Sequence, residues 1–310
     1  MKDKLLNSGF GIGNIVFIAA IIVALPLRIY QYVAGILEPG TGFYLTNDWS
    51  IYVLYAVIIC TIIASVTIGL TKKKSLDFSY KAEKSPLLGA FAALSAAGLI
   101  IDVISSLPAL NSANGFIANS SSSGLPSYYI LLAQVAFAFI SAMFFVILAI
   151  TSFAGKTSGA DYRILSLAPV FWSILRMVSR FMRTISYVRV SELLFEMVML
   201  MFMIMFFMAF AQCNAKVNEA ECKWKVAAYG IPAAFMALLC SAPRIILLIT
   251  GSADLIYSQS SVEFADFGIA LFIIAVVLTK VITKSEETEV EEIAEETQKV
   301  SEETTVSIEE

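Results

Sequence analysis

Apolar residues in this chain run in blocks of about 20, separated by short polar stretches, and the blocks do not alternate. That length crosses a hydrocarbon core of ~30 Å as a helix, whereas barrel strands would be shorter and alternating. The pattern predicts an all-α membrane protein, a polytopic bundle of eight transmembrane helices over 12–33, 49–71, 86–107, 127–153, 162–185, 192–213, 226–250 and 264–282. The transmembrane domain is read as residues 1–284, followed by a tail over 285–310. The first block is long and lacks a small-x-small cleavage site, so it reads as a span and not as a signal peptide. Gly9, Gly11 and Gly13 follow no strand, so they mark a helix start and not a nucleotide loop.

Between the spans, turn chemistry at Pro39-Gly40 and Gly42 marks a loop over 38–48. Asn111 to Pro126 is rich in Ser, Asn and Gly and holds no charge, so a mobile loop is expected there. Pro232 and Pro243 are expected to break the seventh span.

Composition adds a division of charge. The 310 residues are 58% hydrophobic and 15% charged, with a net charge of −4. Eleven Glu and one Lys fall between Ser285 and Glu310, so the tail is acidic and the body mildly basic. The tail cannot bury enough apolar area to offset ordering, so disorder is expected, with docking to a cytoplasmic partner as the alternative. All thirteen Lys of the body fall on one side of the predicted bundle. Counted as the positive-inside rule directs, that side is cytoplasmic, both termini lie there, and a bacterial cytoplasmic membrane fits best.

Arginine behaves differently from lysine. Arg28, Arg176, Arg180, Arg183, Arg189 and Arg244 all fall toward the opposite side, several of them inside apolar blocks. Ionisable groups at membrane depth are costly and mark pairing or function. In an antiparallel hairpin of spans five and six, Arg183 shares a register with Glu192 and Arg180 with Glu196. These are the expected structural ion pairs, with the bidentate geometry that Arg favours. Arg176 falls outside that ladder. Arg28, Asp102 and Arg176 stand at equal intervals of 74 residues on odd-numbered spans, and Leu25-Pro26-Leu27-Arg28-Ile29 resembles Ser241-Ala242-Pro243-Arg244-Ile245. Four repeated two-helix hairpins would account for both observations. The matched depths suggest an anion site built on Arg28, Arg176 and Arg244, with Asp102 as internal counter-charge. An anionic small molecule or an anionic lipid headgroup would fill it. The plainer alternative pairs Asp102 with one arginine and turns the others to carbonyls or the interface. A voltage-sensing helix would need a longer and more regular arginine ladder.

Other chemistries are excluded or weak. The chain holds no histidine, which removes the commonest metal ligand and the usual general base. No Cys–His or Ser–His pair can form, so an enzyme is not expected. Six Met between Met197 and Met208 scatter around a helix and form no metal-binding face. The four Cys (Cys60, Cys213, Cys222, Cys240) read as small core residues or reduced thiols. No metal, cofactor or nucleic acid is expected, and the lipid bilayer is the expected partner. Two functions remain. One is a transporter or solute-binding protein with an outward arginine-lined site, marked by a polar cavity. The other is a structural or signalling membrane protein, marked by a dry and fully paired core.

Overall fold

The computed structural model describes residues 9–39, 42–71, 85–119, 125–155, 163–182, 191–215, 217, 219–256 and 264–277. Helices account for nearly all of them: α1 (Gly9–Val33), α2 (Trp49–Thr71), α3 (Pro86–Asn119), α4 (Leu125–Ala154), α5 (Ala168–Phe181), α6 (Ser191–Asn214), α7 (Glu219–Ile249) and α8 (Phe264–Val277). Six of these (α1 to α4, α6 and α7) contain apolar stretches long enough to cross a membrane. The described parts of α5 and α8 are shorter, at 14 residues each. At ~1.5 Å per residue, 14 residues reach about 21 Å, less than a hydrocarbon core. The acidic tail over 285–310 lies outside the described residues.

Two sequence expectations are corrected. Asn111 to Asn119 belongs to α3 and not to a loop. Continuing an existing helix adds one hydrogen bond per residue fixed, so weak helix formers follow a span already nucleated. Pro232 and Pro243 do not break α7, which is helical throughout. Packed neighbours at membrane depth can re-satisfy the carbonyls a proline frees. The charged stretch before the seventh span is also largely helical, and Glu221 and Lys225, one turn apart, lie 3.1 Å from each other.

Neighbouring helices pack in sequence, α1 on α2, α3 on α4, α4 on α5, α5 on α6 and α6 on α7, while α7 returns against α1 and α2. α8 is largely enclosed, with ten of its fourteen described residues buried. A Cβ on Gly98 of α3 would lie 2.8 Å from the Ala265 backbone, and one on Gly268 of α8 would lie 2.8 Å from the Ser95 Cα. The two backbones therefore touch across glycines, as small residues permit where lipid removes the hydrophobic drive to associate. Phe272 of α8 meets Phe145 of α4 at 5.1 Å and Phe210 of α6 at 5.8 Å, both edge-on.

Polarity is inverted relative to a soluble bundle. On α5 the buried side holds Pro169, Trp172, Ser173, Arg176 and Arg180, while Phe171, Ile174, Val178 and Phe181 face outward. Ile22, Ile63 and Ile150 are 65%, 60% and 61% exposed, whereas Arg28 is 2% exposed. Water would reject that arrangement and hydrocarbon accepts it. The six methionines split the same way. Met197, Met199 and Met203 are buried, the last two one turn apart, while Met201, Met205 and Met208 face out.

Above the charged end sits a small cap. Gly35 ends α1 with φ near 68°, a left-handed conformation that glycine adopts without strain. The chain then forms a two-residue bridge between Leu37 and Tyr44. Leu37 packs with Tyr32, Leu247 and Ile256, and Tyr44 and Leu255 close the edge.

Candidate functional site

Charged residues meet under this cap. Arg28 and Tyr32 are one turn apart on α1 and share a face. The Arg28 guanidinium donates to Gln31 Oε1 at 2.8 Å, to the Tyr44 hydroxyl at 3.3 Å and to Glu192 Oε1 at 3.4 Å. Its carbon lies 5.1 Å from the ring centres of both Tyr32 and Phe195, so two π-faces flank the cation. The Tyr32 hydroxyl donates to the same Glu192 oxygen. Gln31 in turn reaches the Ser50 hydroxyl of α2 at 3.5 Å.

Arg244 of α7 completes the grip. Its Nη2 donates to Glu192 Oε2 at 3.3 Å, and its Nη1 lies 2.7 Å from Glu196 Oε1. Arg180 of α5 lies 3.4 Å from Glu196 Oε2. The resulting chain, Arg28–Glu192–Arg244–Glu196–Arg180, alternates in sign and joins α1, α5, α6 and α7. Glu192 also occupies the first turn of α6, where the helix dipole favours a negative charge.

Arg176 has a different partner, which sequence reasoning missed. Its two terminal nitrogens bond the two oxygens of Asp266 on α8, at 2.5 and 2.7 Å. The Trp172 ring centre lies 5.2 Å from the same guanidinium. Asp102 of α3 stands half-buried nearby, with the Ala265 backbone N–H turned to its carboxyl and Arg176 within electrostatic reach. Among the described residues, four buried arginines are thus met by three buried carboxylates and by Asp102.

The sequence-predicted residues therefore separate into two groups. Arg28 and Arg244 come together at one carboxylate, while Arg176 and Asp102 gather around Asp266. Arg180 faces Glu196. Arg183 lies outside the described residues, and Glu192 is held from α1 and α7. Asp266 is the one charge inside the apolar run Phe264–Val277, and Tyr32 stands one turn after Arg28. Both signals were present in the sequence.

The lysine-rich end differs. An apolar recess of about 130 Å³ opens there between α1, α7 and α8, lined by Phe17, Ile231, Ala234, Ile273 and Val277 among others. Cys213 and Cys222 are disulfide-bonded across the α6–α7 turn, with Cα atoms 5.5 Å apart. That corrects the expectation of free thiols, because the turn returns the start of α7 alongside the end of α6. Cys60 and Cys240 are free.

The helical architecture, the six long apolar helices and the inverted polarity identify the class: an all-helical membrane protein. Compared with protein-family models, curated protein sequences and solved structures, the chain matches none.

Proposed function

We propose that this is a structural or signalling membrane protein in which the buried ion-pair network sets the arrangement of the helices. The observation that carries this reading is Glu192. Its carboxylate is 1% exposed and is held at once by Arg28, Tyr32 and Arg244, from two other helices. Such a node ties α1, α6 and α7 to a single register, and an ion pair at membrane depth tolerates few alternative registers. In this reading α5 and α8 complete an eight-helix bundle, and α1 and α7 are equivalent members of duplicated hairpins. The meeting of Arg28 and Arg244 at one acid supports that equivalence. Lysine distribution supports a cap facing outward and an acidic tail acting as a cytoplasmic interaction arm.

The test is thermal unfolding in detergent. Glu196→Gln should lower the melting temperature, because it leaves Arg180 and Arg244 sharing fewer carboxylates. Arg180→Gln in that background should recover part of the loss. Strictly additive losses would refute the lock. A transporter remains the competing reading, favoured by the same donor set, and solute accumulation in proteoliposomes would decide for it.

A further inference from the structure

Three donors around Glu192 make a recognisable set. Two guanidinium groups and a phenol converge on one carboxylate, and both of its oxygens are used: Oε1 by Arg28 and Tyr32, Oε2 by Arg244. The receptor halves come from α1 and α7, while the acid that fills them comes from α6. No part of that geometry requires the carboxylate to belong to this chain. A planar two-oxygen anion matches the guanidinium fork, and a phenol adds a third directed donor.

We propose that Arg28, Tyr32 and Arg244 form a binding site for a small carboxylate solute, with Glu192 as its built-in competitor. The inference rests on the reading of the network as the element that sets the helix arrangement. A carboxylate that enters replaces Glu192 charge for charge, so the buried arginines stay neutralised. Glu192 retains a second resting place, since the N–H groups of the first turn of α6 have no intrahelical partner and favour a negative charge. Arg244 keeps Glu196 throughout, so only the Glu192 arm exchanges.

Access is through the cap. Among the described residues, the cap packs Leu37, Leu247 and Ile256 against the Tyr32 ring of the site. Tyr44 belongs to the cap, and its hydroxyl accepts a bond from Arg28. The cap is thereby tied to the receptor it covers. The site takes a free solute and not a lipid headgroup, because it lies inside the bundle beneath this cap.

The experiment uses the full chain in detergent and reads the melting temperature against concentration of acetate, succinate and phosphate. A further arm uses micelles doped with phosphatidylserine. An occupied internal competitor weakens apparent affinity by the fraction of time it holds the site. Glu192→Gln should therefore bind acetate or succinate at least about tenfold more tightly than the wild type. Arg28→Gln and Arg244→Gln should each abolish the response. Phosphate giving an equal response, or phosphatidylserine alone giving one, would overturn the proposal. So would Glu192→Gln losing stability with no carboxylate-dependent recovery, and in that case the lock itself stands. A Glu192→Gln protein that loses no stability defeats the lock instead. Should that variant fail to fold, Tyr44→Phe loosens the cap in the wild-type background. It must then respond to succinate more strongly than the wild type, and no increase overturns the site.

Discussion

At one end of α6, Glu192 and Glu196 are held by arginines from α1, α5 and α7. Roughly 20 Å along the same helix, Phe206, Phe207 and Phe210 form a cluster with Phe145 and Phe272. Both ends are buried, and both join helices that lipid gives no hydrophobic reason to join. The difference lies in how each responds to loss. Aromatic packing is short-ranged and graded, so a truncated ring costs the contacts that ring made. Charge pairing is all-or-none, since removing one partner strands the other in a medium that cannot solvate it. The charged end therefore fixes register, and the aromatic end fills volume.

The largest expected effect lies at Arg244, which serves both glutamates. Arg244→Met should destabilise by about 3–5 kcal/mol, the range for breaking a buried pair. Unfolding in a denaturing detergent titration checks it. Adding Glu192→Gln should return part of the loss. At the other end, Phe272→Ala should cost less than the 3–5 kcal/mol typical of a water-soluble core, about 3 kcal/mol or below. Hydrocarbon surrounds the separated helices too, so only packing is lost. Phe145→Ala added to it should deepen the loss. Rescue at the aromatic end, or none at the charged end, would dissolve the distinction.

What was legible in the sequence follows the same division. Charges inside apolar blocks stand out, so Arg28, Arg176, Arg180, Glu196 and Arg244 were singled out without a structure. Asp266 was passed over because it stands three residues into its helix, where a carboxylate reads as the end of a loop. Tyr32 was passed over because a tyrosine near a span end reads as an interface anchor. Pairing across distant helices was beyond reach altogether. Arg28 and Glu192 are 164 residues apart, and no local period connects them. Helix continuity is hidden from composition where propagation overrides weak helix formers, as at Asn111 to Asn119, and where packed neighbours re-satisfy the carbonyls freed by Pro232 and Pro243.

A smaller effect is expected where the cap meets the charges. Tyr44→Phe removes the acceptor of a 3.3 Å hydrogen bond to Arg28, yet leaves the ring that packs beside Leu37. A single neutral hydrogen bond contributes about 0.5–1.5 kcal/mol, somewhat more when one partner is charged. The melting temperature should fall by correspondingly little, well short of the Arg244→Met loss. A fall as large as that of Arg244→Met would make the cap part of the lock.

The smallest effect is on stability hardly at all, and it concerns which end faces the reducing compartment. In the proposed orientation, with the lysine-rich side inward, the end with Cys213 and Cys222 lies inside the cell. The two thiols are nevertheless close enough to bond, with Cα atoms 5.5 Å apart and the disulfide closed. Disulfides seldom persist in cytosol, where thiol buffers keep cysteines reduced. Geometry permits the bond and the compartment decides whether it exists, so both observations are met if the pair is reduced in cells and oxidises on isolation in air. Alkylation of intact cells with membrane-permeant N-ethylmaleimide should then label Cys213 and Cys222, and the same treatment after aerobic purification should label neither. Single cysteines at Ser122 and Ser75 give the independent check. A membrane-impermeant reagent should reach Ser122 from outside and Ser75 only after permeabilisation. Should Cys213 and Cys222 already be blocked in the cell while Ser75 labels from outside, the bundle is inverted, and the cap with its arginines faces the cytoplasm.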